Sequence, residues 1–456
     1  MGSFHKLARD TVLMTCASLL MRCIGLTYQV WLVGRIGAAG VGLWQLVSAV
    51  CGLSATLAIS GIRFTATRLI AEELGSGTKS AAPAVRRCMV YAAVFGFAAF
   101  LILFLGAEPI GFLWVGDART VLSLRTISFT MPMIALSSVL NGYFIASGKA
   151  WKSAIVQVLE QITGVICVIV LLKNAPQGDL ELSCLAISRG NLAADAVSLL
   201  LISVLYTIER KSFSARSDAK HLTIRMLHIA VPLAMSAYAR AGLTTMENLL
   251  IPRKLRDAGY SANNALSGYG TITGMVFPII GFPSCLLSAA AELSIPELTA
   301  AQVQGDGTRI RQLTGHLLKL TVLFSLSVAT FLFIFADHLG LLIYGSNSVG
   351  HYIRILAFLV PIMYMDIITD GCLKGLGQMM WSMRYNVTEA LLGVLLVIIV
   401  LPKKALSGYI FVLYFCEIFN FTLSILRLRK VSKELNNNKR KSNYAAKNEK
   451  NKLFLS

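Results

Sequence analysis

Arg22, Glu160, Asp195, Arg240, Glu247, Asp366, Asp370, Glu389 and Glu417 lie inside long apolar runs, and Arg63 and Glu292 lie deeper than an interface requires. A charge at the centre of a bilayer costs several kcal/mol unless it has a partner, a water-filled cavity or a function to hold it there. Arg22 and Arg240 sit near the middles of the first and seventh runs. Two guanidiniums facing one cavity make an anion site, and their planar donor forks suit a pyrophosphate. The alternative is a structural ion pair, Arg240 with an acid of a neighbouring helix. Arg63 either joins the anion site or, like Arg68, snorkels to the cytoplasmic surface. Asp366 and Asp370 stand one helical turn apart and, with Glu247 and Glu292, are candidates for coupling to H+ or Na+. Asp366 and Asp370 can equally be a water-lined pair with Lys374 one turn on.

Nothing else in the chain supplies catalytic chemistry. It has no HExxH, no phosphate loop and no GxSxG, and its six histidines are dispersed. Its nine cysteines are scattered through apolar runs without a CxxC and read as small packing residues. We therefore expect no enzyme, no metal and no cofactor. The segment from Gly268 to Gly274 has the wrong spacing for a dinucleotide loop and reads as a close-packing helix face.

The elements that must position these charges follow from composition. The 456 residues are 55% hydrophobic and 14% charged, with mean hydropathy +0.67. A soluble chain carries about 25% charged residues. Apolar runs of ~20 residues cross a ~30 Å hydrocarbon core as helices. We read twelve spans, at 11–33, 41–62, 84–106, 121–146, 152–172, 183–207, 225–251, 263–290, 313–335, 350–373, 383–401 and 405–427. This is an all-α polytopic membrane protein, and a soluble enzyme or nucleic-acid binder is excluded. The net charge of +19 reflects positive-inside placement, since ten of the 42 Lys and Arg lie at or after Arg427. The bias puts both termini in the cytoplasm, with the basic tail free to touch anionic lipid headgroups. No loop is long enough for a nucleotide-hydrolysing domain, so energy must come from a gradient or the membrane potential.

The chain also repeats itself. A shift of 229 lays residues 111–172 on 340–401 without a gap, matching Gly111 to Gly340, Arg125 to Arg354, Pro132 to Pro361, Gly142 to Gly371, Gly148 to Gly377 and Glu160 to Glu389. Asn191 falls on Asn420, and Asn141 faces Asp370. We assign the pairs Glu160/Glu389, Arg125/Arg354 and Pro132/Pro361 common structural roles, with proton or ion coupling the alternative for the two glutamates. Six spans per half make a parallel repeat, the arrangement in which transporters hold substrate between halves and rock them for alternating access. The expected domains are an N-terminal lobe at 1–210, a cytoplasmic linker at 211–224, a C-terminal lobe at 225–427 and a disordered basic tail at 428–456.

Four stretches, residues 20–50, 59–77, 134–165 and 269–298, resemble the stage V sporulation protein B and polysaccharide-flippase branch of the superfamily that also contains multidrug and toxin extruders and the lipid II flippase. The resemblance implies two six-helix lobes in a V around a central cavity, in the bacterial plasma membrane. It implies flipping of undecaprenyl-pyrophosphate-linked oligosaccharide or peptidoglycan precursors. It also implies cavity arginines on the first helix of each lobe; Arg22, in its R-x-x-G context with Gly25, matches such a position, and Arg240 matches by its place in span 7. The rival readings are a cation-coupled multidrug exporter, which would need an acid-dominated cavity, and a non-transporting membrane scaffold for wall synthesis. The sign of the cavity separates the first two.

Overall fold

The computed structural model describes residues 2–75, 82–174, 176, 178–210 and 219–453, and among them the chain is helical, with no strand. Gly77-Thr78, which the repeat sets on Gly307-Thr308 at a shift of 230, and residues 211–218 of the expected linker lie outside the described residues. Packing divides the chain into two units, Met1–Met275 and Val276–Ser456. The first holds α1 (Gly2–Ile59), α2 (Ile62–Gly75), α3 (Ala82–Pro109), α4 (Val121–Ser128), α5 (Thr130–Ala146), α6 (Ala150–Lys173), α7 (Leu180–Arg210), α8 (Ala219–Asp257) and α9 (Ala262–Gly270). The second holds α10 (Phe277–Gly281), α11 (Ser284–Val303), α12 (Gly307–Tyr344), α13 (Asn347–Ala357), α14 (Val360–Gly375) and α15 (Met379–Leu453). The packing boundary thus falls at Met275 rather than in the 211–224 linker. One reason is visible where α9 crosses α1. A Cβ on Gly42 would run into the carbonyl of Leu266, and one on Gly270 into the carbonyl of Ala38. Only glycine at both places lets the two backbones approach so closely.

Among the described residues seven helices are long and apolar enough to cross a membrane, and up to ten if each of three bent pairs counts as one span. Two of the seven run to 57 and 54 residues, far more than the ~20 that a crossing needs. Both are interrupted. Gly37 breaks α1 at φ 70°, ψ 174°, a conformation open to glycine for want of a Cβ. Ala405 breaks α15 at φ 49°, ψ −132°, three residues after Pro402, which gives no N–H to the helical ladder. Beyond the break α15 stays helical to Leu453. That differs from the disordered tail its composition suggests: after Gly408 no glycine or proline stops the helix, and Lys, Arg, Glu, Leu and Ala all favour it.

The duplication is visible as geometry. α4 and α5 meet at a 42° bend and α13 and α14 at a 57° bend, with Pro132 and Pro361 just beyond them. Gly116 and Gly345, 229 apart, both adopt the left-handed conformation at the ends of the preceding helices, with φ 73° and 63°. Gly148 and Gly377 repeat it at 67° and 66°. Arg125 pairs with Glu108 at 2.6 Å, and Arg354 with Asp337 at 2.5 Å. Glu108 and Asp337 are themselves 229 apart, an equivalence hidden from a search for identities because the acid changes length.

Candidate functional site

The polar side chains of the first unit converge on a cavity of about 610 Å³ between α1, α2, α4, α5, α6 and α7. Among the described residues its one cation is Arg63, and its acids are Glu160 and Asp195. A sharp corner delivers Arg63. Ser60 and Gly61 both have positive φ, 44° and 71°, so the chain turns out of α1 and α2 starts at Ile62. Ser60 is held there by Tyr238, whose hydroxyl lies 2.6 Å from its Oγ, and by Tyr91 at 2.9 Å. Gly61 lies against the carbonyl of Ala230 on α8, where a Cβ would come within 2.8 Å. Arg63 therefore stands on the first turn of a helix, the end whose dipole disfavours a cation. Across the cavity it interacts with the charge of Glu160.

Glu160 Oε2 accepts a 2.6 Å hydrogen bond from Ser198 on α7 and lies within charge range of Asp195. Amides supply most of the remaining polar wall. Asn141 Oδ1 accepts from Ser153 at 2.5 Å, and Gln157 donates to the same Ser153 at 3.3 Å. Gln161 donates to the carbonyl of Met21 at 2.7 Å, tying α6 to α1 beside Arg22. Asn191 completes the set, and Tyr28 is the aromatic of the lining.

The second unit carries the repeat of this constellation in more acidic form. Ser382 donates to Asp370, the counterpart of the Ser153–Asn141 bond, and Asn386 donates to the carbonyl of Ser382 at 3.0 Å. Lys374 pairs with Asp370 at 2.6 Å. Asn420 donates to Asp366 Oδ2 and to Asn386 Oδ1, each at 3.3 Å. Glu417 lies within charge range of both Asp366 and Glu389. Among the described residues no group of three or more His, Cys, Asp or Glu is arranged to hold a metal ion.

Of the candidates read from sequence, Arg63 and Glu160 share the first-unit cavity, and Asp366 and Glu389 share the second-unit cluster, with Asp370 one turn away. Arg22 and Arg240 are exposed on α1 and α8 and do not line the 610 Å³ cavity, although Met21 does. Arg240 follows Tyr238 on the helix that buttresses the corner ahead of Arg63. Glu247 is half-buried on α8 within charge range of Tyr269, whose hydroxyl bonds Asn248 at 3.1 Å. Glu292 is exposed on α11. Sequence reasoning did not single out Gln157 and Gln161; uncharged amides hardly mark an apolar run.

Comparison with known proteins follows the same lines. Residues 7–285 match the family described as polysaccharide biosynthesis protein, and residues 258–399 match the MatE family. The chain is 24% identical over 413 residues to stage V sporulation protein B of Bacillus subtilis (strain 168), covering 88% of this chain and 79% of the relative. It is 21% identical over 343 residues to lipid II flippase MurJ of the same organism, covering 70% of this chain and 62% of that one. Among solved structures, the MATE multidrug transporter DinF-BH is similar at TM-score 0.69 and 14% identity, covering 93% of this chain and 95% of the other. An outward-facing MATE family transporter of the MOP superfamily is similar at TM-score 0.64 and 16% identity, over 95% and 96%. At such identities the structures bear on the fold alone. The family match extends over more than half of the chain, which belongs to the polysaccharide biosynthesis protein family, in the flippase branch of the MOP superfamily, and is a multi-pass transporter of the bacterial plasma membrane.

Proposed function

We propose that the protein flips a lipid-linked, pyrophosphate-bearing oligosaccharide or peptidoglycan precursor by alternating access. The observation that carries this reading is the lining of the first-unit cavity: one arginine delivered to its wall, surrounded by Asn141, Gln157, Gln161 and Asn191. Amides offer donors and acceptors together, which suits a hydroxyl-rich sugar, and a guanidinium suits a phosphate. A site for organic cations favours aromatic faces, and among the described residues the lining holds the single aromatic Tyr28. Arg22 and Arg240 complete the anion path in this proposal, and the lipid tail stays in the bilayer.

The topology belongs to the same proposal. The two helices broken at Gly37 and Ala405 each cross twice, which takes ten spans to twelve, six in each pseudo-symmetric lobe of a V-shaped transporter, with both termini in the cytoplasm. Transport is driven by H+ or Na+, with Asp366, Asp370, Glu247 and Glu292 as the coupling candidates, and no covalent chemistry is catalysed.

A second reading, a cation-coupled exporter, is favoured by one observation: the two acids Glu160 and Asp195 outnumber the single cation of the cavity. Proteoliposomes containing a fluorescent undecaprenyl-pyrophosphate sugar decide between them. We expect flipping by the wild type and its loss in Arg22→Ala/Arg240→Ala, with the protein still monodisperse. Absence of flipping across several lipid-linked sugars, together with proton-driven efflux of an organic cation, would replace the flippase by the exporter.

A further inference from the structure

A different cavity, within the second unit, has the opposite electrostatic character. It measures about 750 Å³ and lies between α12, α14 and the stretch of α15 from Phe421 to Ser432. Among the described residues Arg311, Lys319 and Arg429 line it, and no acidic residue does. Among the described residues none of these three cations is in an ion pair. Two other cations of this unit are matched, Lys374 with Asp370 and Arg354 with Asp337. The rest of the wall is apolar, with Leu318, Val322, Phe421 and Ile425.

The helices place the cations at two levels of one cavity wall. Arg311 and Lys319 are eight residues apart on α12, about 12 Å along the axis at ~1.5 Å per residue, and Arg429 joins the lining from α15. A cluster of unmatched cations repels itself unless an anion completes it. The apolar stripe beside the cluster, in a chain that spans a membrane, specifies what that anion is attached to. Basic pockets between transmembrane helices hold anionic lipid headgroups in this way.

We propose that this cavity binds the phosphate of an anionic membrane lipid, with Arg311, Lys319 and Arg429 on the phosphate and the tail along Leu318, Val322 and Phe421. The site is separate from Arg22, Arg63 and Arg240, and the proposal stands whether or not the protein is a flippase. Two lipids share the chemistry, a bulk glycerophospholipid and a polyprenyl phosphate.

Native mass spectrometry of the full-length protein, released from vesicles containing phosphatidylglycerol and phosphatidylcholine, tests it. The wild type should keep phosphatidylglycerol in preference to phosphatidylcholine. In Arg311→Gln/Arg429→Gln that retention should fall about thirtyfold, roughly fivefold for each of the two lost cations. Lys430→Gln removes an exposed neighbour outside the cavity and should leave retention unchanged. Addition of undecaprenyl phosphate identifies the source, because displacement of phosphatidylglycerol in the wild type assigns the cavity to the polyprenyl lipid and lack of displacement assigns it to the glycerophospholipid. Equal retention in wild type and double variant, or equal loss in Lys430→Gln, would overturn the proposal. All three side chains are exposed, so the variants should fold, and Lys319→Arg, which keeps the charge, should bind as the wild type does.

Discussion

Arg63 is the residue on which the first-unit cavity depends. It opposes the dipole of its own helix and is compensated by Glu160 across the cavity. Arg63→Gln should therefore leave Glu160 and Asp195 without a cation in the lining and reduce flipping by about tenfold or more, the scale of one lost charge-assisted contact. Its exposure predicts a stability change within about 0.5 kcal/mol, read as an unchanged melting temperature in detergent. Arg63→Lys keeps the charge without the fork and should recover part of the rate. Asp370→Asn gives a contrasting result. Its partner Lys374 is half-exposed, and a pair in that setting contributes no more than about 1 kcal/mol. We expect only a small loss of thermal stability, whereas Asp366→Asn, made beside Glu417 and Glu389, should alter the ion dependence of flipping. The charged members of both sites were legible in the sequence because a charge in an apolar run stands out. Asn141 and Asn191 were visible only through the repeat, and the Ser198–Glu160 bond not at all, since it joins α6 to α7 across 38 residues.

Among the elements, the corner at Ser60 and the crossing at Gly42 separate local strain from long-range packing. A non-glycine residue at φ 44° is strained by roughly 1–3 kcal/mol. Ser60→Gly should relieve that strain but lose the hydroxyl contacts with Tyr91 and Tyr238, each contributing about 1 kcal/mol. The two effects nearly cancel. Ser60→Ala loses the contacts and keeps the strain, so it should be the less stable variant by at least ~1 kcal/mol, measurable as a lower melting temperature. Gly270→Val drives a side chain into the backbone of α1; overpacking of a tight contact costs about 1–3 kcal/mol or more, and reduced yield of monodisperse protein is the expected readout. The sequence announced close packing at Gly268–Gly274 through its run of small residues. It did not announce which helix would lie against them, nor that Ser60 would sit at positive φ, because both are imposed by α1 and α8 from far along the chain.

For the molecule as a whole, the twofold repeat is the property that the sequence revealed most fully. Identical glycines, prolines and arginines at one register reappear as paired bends, paired left-handed turns and paired ion pairs. A parallel repeat places Ala118 and Ser348, at equivalent turns, on one side of the membrane. We expect Ala118→Cys and Ser348→Cys to react with an impermeant maleimide in intact cells, and Lys430→Cys only after permeabilisation. Labelling of just one of the first two would break the parallel arrangement. The twelve spans read from hydropathy stand beside seven to ten crossing-length helices among the described residues, and the counts differ partly because a helix can pass through a break such as Gly37 without ending.

Gly142 and Gly371 mark one more equivalence. Gly142 packs against the backbone of Arg63, and Gly371 packs against Ala291, the residue before Glu292. Arg63 and Glu292 are 229 apart. At the same address the two halves therefore carry opposite charge. An assembly of two identical six-helix chains could never do so, since any substitution would appear in both copies at once. Joining the halves into one polypeptide releases each from copying the other, and this pair of residues shows that freedom: one half carries a cation where its twin carries an acid.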